Sequence, residues 1–331
     1  MKSVPPLEPH EKEARQLAAR TTGIAAVGAV STGTAGWTDP SLLSERSFYP
    51  ASAKTSEARL RHYATAFSFV EVDATYYALL ARELFEKWAS WTPPDFGFHV
   101  KAFPVLTGHP IDLLRLPGDL RVALEGAGFK ARVYPDDLPS EIVSELEARF
   151  IDSIEPLRAH GKLAGVLVQF PPWFEATRGN VRRIEALRER YPDLPMNVEF
   201  RHGSWLAVER RERVFDMLDQ HRLVFVRVDE PVVATGLPFV VRATHPDIAM
   251  LRLHGRNVTG WTKKGASVAE RFHYLYSPSE LSEFVPALVD LSQKTKKVHV
   301  VFNNCIRDFA VVGARGLTAL LEDAGEGEVV S

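Results

Sequence analysis

With 331 residues, 40 Lys and Arg against 42 Asp and Glu, and a formal net charge of -2, the chain suits one large α/β domain or two ordinary ones, and no global basic field indicates nucleic acid or an acidic membrane as partner. Its one cysteine, Cys305, excludes an intramolecular disulfide framework and any CxxC zinc site and fits a reducing compartment, so a cytoplasmic location is expected. No window holds the roughly 18 apolar residues a membrane span needs, and the acidic, proline-bearing start MKSVPPLEPHEKEARQLAAR is a poor match to a secretory signal. Residues 1–28 read as an N-terminal extension, partly disordered or helical.

From residue 29 to about 325, short β-like runs alternate with segments of helical period. The strand candidates are AVSTGTA (29–35), FVEVDA (69–74), FGFHVKAF (96–103), LAGVLVQF (163–170), MNVEF (196–200), LVFVRVD (223–229), AMLRLHG (249–255) and VHVVFN (298–303). Amphipathic helix candidates follow all but the sixth: SEARLRHYATAF, ARELFEKWASW, SEIVSELEARFIDSIEPLRAH, TRGNVRRIEALRER, AVERRERVFDMLDQH, PSELSEFVPALVDLSQ and ARGLTALLEDA. Eight strand-helix units with right-handed crossovers predict a single-domain TIM-like (β/α)₈ barrel, with a doubly wound open sheet as the alternative. Three strand-to-helix connections, near 103–139, 230–248 and 255–277, are long. In a barrel they rise on the C-terminal face, where active sites are built.

Strand parity then sorts the charges. In NVEFR, Val198 and Phe200 share the outer face, so Glu199 and Arg201 point along the barrel axis. The same test turns Glu71, Asp73, His99, Lys101, Arg227, Asp229, Arg252, His254 and Arg256 inward. Buried charges need partners, so the deepest three, Glu71, Arg227 and Arg252, are expected to form a structural network. Those at C-terminal strand ends are expected to form a pocket with a slight cationic excess, suited to a small phosphate- or carboxylate-bearing ligand. Catalytic candidates are Glu199, Asp229, His254, Lys101 and Asp73. Substrate-binding candidates are Arg201, Arg256, Asn303, Asn304, Gln169, Trp37 and Trp261. The acids Glu199, Asp229 and Asp73 with His254 also suggest Mg²⁺ or Mn²⁺, a reading the interleaved arginines disfavour, so the cofactor stays open.

Other motifs carry two readings each. GTAGW (33–37) is either a phosphate cradle or a tight turn walled by Trp37. QFPPWF (169–174) puts two aromatics on a rim. HGRNVTGWTKKG, after the seventh strand, resembles a mobile basic and aromatic flap, either touching ligand or merely solvated. His202 is expected to brace the turn after NVEFR, and Ser204 to cap the next helix.

Together GTAGWTDPSLLSERSFYP, YATAFSFVEVDATYY, WTPPDFGFHVKAF, LTGHP, VLVQFPPWF, NVEFRHGSW, VRVDEP, LRLHGR, YLYSPSEL and VVFNNC resemble the YecE-like family, a domain of unknown function (DUF72). The resemblance spans nearly all of the chain from Gly33 to about Leu320 and implies a TIM-like barrel without supplying an activity. Cys305, where members often carry Asp or His, and Gly313, where Asn is usual, depart from its pattern. The expected function is an enzyme acting on an anionic substrate, with phosphoester hydrolysis as its most specific form. The alternative is a non-catalytic barrel that binds a phosphorylated metabolite or nucleic acid.

Overall fold

The computed structural model describes residues 10–125, 128–232 and 236–328. Eight strands lie where the sequence pattern places them: β1 (Val30–Thr34), β2 (Phe69–Val72), β3 (Gly97–Lys101), β4 (Leu163–Gln169), β5 (Met196–Glu199), β6 (Val224–Asp229), β7 (Ile248–Leu253) and β8 (Lys297–Phe302). The principal helices are α1 (Glu11–Ala18), α2 (Ser56–Ala66), α3 (Arg82–Trp91), α4 (Ser140–Ala159), α5 (Arg178–Arg190), α6 (Arg211–Gln220), α7 (Val285–Lys294) and α8 (Phe309–Glu328). The chain divides into two compact units, one of Met1–Val70, Arg227–Ala234 and Val241–Ser331, the other of Glu71–Val226 and Thr235–Val240.

In the first unit β1 pairs in parallel with β8, and β8 with β7. Helix α1 packs on α8, where Ala14, Ala18, Leu275, Phe309 and Val312 form a buried cluster. Charge also holds this helix. Arg15 donates two hydrogen bonds to Asp308 at 2.7 and 2.8 Å, and Arg307 bridges Glu11 and Glu45 at 3.1 and 2.8 Å. Glu11 is 2 % exposed; burial alone would raise its pKa, but Arg15 and Arg307 hold it below the usual carboxylate range.

In the second unit β3, β4, β5 and the start of β6 (Val224 and Phe225) pair in that order, all parallel. Strands buried on both faces are the rule for parallel sheets, and every residue of β5 is buried. Register explains an unusual polar contact in this core. Gly165 of β4 sits opposite His99 of β3, and Leu167 of β4 opposite Asn197 of β5. The Asn197 amide lies 2.8 Å from His99 Nδ1. It reaches across β4 because Gly165 has no side chain: a Cβ there would overlap the Asn197 amide.

Local sequence explains the helix ends. Thr55 and Thr177 cap α2 and α5, accepting from the Ala58 and Asn180 N–H. The single helix expected over PSELSEFVPALVDLSQ is two, Pro278–Ser282 and α7, because Pro286 lacks the N–H that a continuous helix would need and instead opens α7. Two of the three long connections are built segments. The 103–139 stretch contains a small antiparallel ladder, Ile111–Asp112 with Arg132–Val133, and the 255–277 stretch contains helices Val258–Thr262 and Val268–Phe272. The expected break in the sixth crossover lies partly outside the described residues.

Candidate functional site

The second unit gathers one group of expected residues at the C-terminal ends of its strands. Lys101 ends β3, and Asp73 opens the short helix Ala74–Tyr77 that follows β2. Thr75 fastens this helix by donating from Oγ1 to the Lys101 carbonyl at 2.6 Å. Lys101 Nζ stands 3.7 Å from Asp73 and 4.8 Å from the centre of the Tyr76 ring. That is an ion pair and a cation–π contact, both longer than a hydrogen bond. Among the described residues the ammonium donates no hydrogen bond, although its side chain is only 15 % exposed.

Gln169 and Glu199 are register partners on β4 and β5, which places the amide 2.5 Å from Glu199 Oε1. Arg201, two residues beyond, donates from Nη1 to the same oxygen at 3.1 Å. Glu199 is fully buried, and Arg201 is half-buried.

His109 joins this group without having been expected there. It follows the tight turn Pro104–Leu106, and its Nδ1 lies 2.8 Å from Thr107 Oγ1. Burial pushes its pKa down to about 4, with Lys101 and Arg201 adding to the effect. The imidazole is therefore neutral at pH 7 and faces two cations. Its Nε2 makes no hydrogen bond among the described residues. LTGHP carries the only sequence signal for it, a histidine between Gly and Pro in an overlong connection, where strand parity has no bearing.

The first unit gathers a second group, and here the charges close on each other. Asp229 accepts from Arg256 Nε and Nη2 at 3.0 to 3.2 Å and from the Tyr276 hydroxyl at 2.7 Å. Arg256 also donates to Glu283 at 2.9 Å and lies over the Phe284 ring. Tyr276 is fully buried, and its oxygen accepts from the Gly255 N–H at 2.8 Å. Burial, then the Asp229 charge, raises its pKa well above the usual phenol value. His254 is fully buried, 2.8 Å from the Asn303 amide and against Phe272 and Trp261. Asn304 donates to the Tyr274 carbonyl at 2.8 Å.

Three residues expected as a structural network, Glu71, Arg227 and Arg252, are 0 %, 4 % and 0 % exposed. Burial pushes Arg227 down to about 10 against the opposing pull of Asp229 and Glu230. In GTAGW the turn reading describes the backbone: Thr34 Oγ1 donates to the Gly36 carbonyl at 2.8 Å, Gly36 has φ +93°, and Trp37 is 6 % exposed. The expected flap carries two short helices. Asn257 caps its first helix, a Ser267–Glu270 capping box starts the second, and Lys263 is paired with Glu270. Ser204 does not cap the following helix. It accepts from the Ala176 N–H, while His202 Nδ1 caps the turn Gly203–Leu206, because that tight turn comes between β5 and α6.

No group of three His, Cys, Asp or Glu side chains converges as metal ligands among the described residues. Nor is any described helix long and apolar enough to cross a membrane. A separate groove of about 610 Å³ between α5 and α6, floored by Trp205, Val214 and Met217, holds none of the expected site residues.

A family model described as Protein of unknown function DUF72 matches residues 31–329. The UPF0759 protein YunF of Bacillus subtilis (strain 168) is 32 % identical over 276 residues, 82 % of this chain and 87 % of that one. A crystal structure of a DUF72 family protein from Enterococcus faecalis V583 is 26 % identical with a TM-score of 0.71, covering 88 % of this chain and 95 % of its own. One from Thermotoga maritima MSB8 is 32 % identical with a TM-score of 0.69, covering 88 % and 99 %. The fold class is accordingly the expected α/β, TIM-like one.

Proposed function

The chain belongs to the DUF72 family of proteins of unknown function, and from that premise we propose that it is an enzyme acting on an anionic, phosphate- or carboxylate-bearing substrate at the strand ends of its second unit, with phosphoester hydrolysis as the reaction class. The observation that carries this is the Lys101 ammonium. It is largely removed from water, makes no hydrogen bond among the described residues, and lies close enough to help depress the His109 imidazole. Its three N–H donors are claimed by no described residue in a partly buried setting, and an oxyanion supplies the acceptor that water otherwise provides.

In this reading Lys101 and Arg201 hold the anion, Glu199 and Gln169 orient Arg201, and Asp73 offsets the Lys101 charge. His109 transfers the proton. Its depressed pKa keeps it neutral at pH 7. With Nδ1–H donating to Thr107 Oγ1, Nε2 is bare and accepts a proton from attacking water; in the other tautomer Nε2–H can only donate a hydrogen bond to a substrate oxygen. Asp229 and Arg256, engaged with each other, serve to brace the loop after β7, which also carries His254 and Trp261 and meets Asn303 at the end of β8 in the first unit.

A second reading, a non-catalytic protein that binds a phosphorylated metabolite or nucleic acid, is favoured by one observation. Glu199 is fully buried and already accepts from Gln169 and Arg201, which makes it a poor base. A screen of phosphomonoesters, phosphodiesters and carboxylate esters, with and without Mn²⁺, separates the two. Turnover that Lys101→Met and His109→Gln both abolish supports the enzyme. Binding of phosphate without turnover supports the binder, and absence of both sinks the anion site.

A further inference from the structure

Aromatic rings run outward from the proposed anion site in an unbroken series. The Tyr76 ring, under Lys101 Nζ, meets His109 edge-on at 5.3 Å. His109 meets Trp173 at 5.9 Å, and Trp173 meets Tyr134 at 6.3 Å, again edge to face. The inner members are largely covered, but Trp173 is 54 % exposed and Tyr134 47 %. Large apolar rings left in water beside a charged site mark contact with something else.

Both outer rings stand on fixed backbone. Trp173 precedes Phe174, which is buried, stacks on Phe170 at 4.1 Å and accepts from the Trp205 indole N–H at 2.6 Å. With Phe174 anchored inward, its neighbour is directed to solvent. Tyr134 follows the Arg132–Val133 edge of the small ladder and precedes the tight turn Pro135–Asp137, which Arg183 ties to α5 through both oxygens of Asp136 at 3.1 and 3.2 Å. The backbone that presents each ring is thus tied to its neighbours.

We propose that the substrate is a nucleotide-type phosphate, its phosphate at Lys101 and its base stacked on Trp173 with Tyr134 at its side. This deepens the anion reading and rests on it. Every base presents a π-face, so an exposed tryptophan-tyrosine pair takes bases with little regard to sequence. A simple phosphate would need only the cations. The interval filled by Tyr76 and His109 between Lys101 and Trp173 calls for a spacer, such as a sugar, between phosphate and ring. A net charge of -2 offers no field for a long polyanion, which favours a free nucleotide or a short nucleic-acid end.

Calorimetric titration of the full chain with inorganic phosphate, ribose 5-phosphate, adenosine 5′-monophosphate and a 5′-phosphorylated tetranucleotide tests this. The expected result is that adenosine 5′-monophosphate binds about tenfold or more tightly than ribose 5-phosphate, that Trp173→Ala removes this difference, and that Trp173→Phe largely restores it. Trp173 is exposed, so these variants fold. A tetranucleotide that binds more tightly still, and loses that gain in Tyr134→Ala, identifies a nucleic-acid end as the source; equal affinity identifies the free nucleotide. If phosphate and ribose 5-phosphate bind but the base adds nothing, the ring inference is overturned while the anion site stands. If neither binds, the anion site itself is gone.

Discussion

At the end of β6, an aspartate, an arginine and a tyrosine close on each other; at the end of β3, a lysine stands apart from its carboxylate. Asp229 receives three donors between 2.7 and 3.2 Å, whereas Lys101 Nζ comes no nearer to Asp73 than 3.7 Å. Both sites are poor in solvent, and both place opposite charges together. The difference lies in saturation. A closed network holds its loop and has little left to offer a ligand, while an ammonium with unused donors beside a neutral histidine is costly unless something fills the gap.

The sharpest way to break this contrast is Asp229→Ala. It would leave the buried Tyr276 hydroxyl without its acceptor and the Arg256 guanidinium with Glu283 alone, a loss at the low end of the ~3–5 kcal/mol that breaking a buried pair costs. Urea unfolding would read the loss. Tyr276→Phe removes a donor to Asp229 and the acceptor of the Gly255 N–H but leaves the Asp229–Arg256 pair in place, and should cost about 2 kcal/mol. If Asp229→Ala were no worse than that, the network would not be closed in the sense argued.

A pH titration sharpens the other side. The pKa of His109 is pushed down to about 4 in the fold, by burial first and then by Lys101 and Arg201, while an unfolded histidine titrates near ~6.5. Between those values the unfolded chain binds a proton that the folded chain does not. Stability from this group is therefore complete above the window and lost as pH falls through it, by up to about 3 kcal/mol. Unfolding midpoints at pH 7, 5.5 and 4.5 should show this slope flattened in His109→Gln. An imidazole titrating near neutrality by NMR would remove the basis for the cationic environment.

Beneath the site, Gly165→Ala forces Asn197 away from His99, and overpacking of this kind costs about 1–3 kcal/mol. The expected result is a lower unfolding midpoint with a weakened grip on phosphate, because β4 and β5 carry Gln169 and Glu199 only four and two residues farther on. Asn197→Ala combined with Gly165→Ala should recover part of the loss, and no recovery would place the strain elsewhere.

How far the sequence could be read follows from what each contact depends on. The eight strands were legible because β-branched and aromatic runs recur at strand length between segments of helical period. Parity also puts Lys101, Glu199 and Arg201 on inward faces, since a strand's own spacing fixes which residues share a face. It could not say which partner each charge meets. Arg256 was assigned to anion binding from position alone, yet its guanidinium meets Asp229 and Glu283, the latter 27 residues away along a stretch of short helices. Tyr276 and His109 were missed for the same reason. Their contacts come from loops, whose paths are set by turns and tertiary packing and not by a repeating period. Pro286, in contrast, was a readable break that the amphipathic pattern around it obscured.

The smallest expected effect on stability belongs to the residue with the largest expected effect on binding. Lys101→Met keeps the stem that packs beside Tyr76 and removes the charge. An ion pair as loose as 3.7 Å contributes little, and the ammonium donates no hydrogen bond among the described residues, so the variant's stability should stay within about 1 kcal/mol of the parent. Phosphate affinity should fall at least about tenfold, since a charge-assisted hydrogen bond to a charged group is worth ~1.5–3 kcal/mol. The two readouts diverge only if Lys101 is held for a ligand. A lysine kept for the fold would give the opposite pair of results, a marked loss of stability with phosphate binding untouched, and would make the β3 end a second closed network like that at β6.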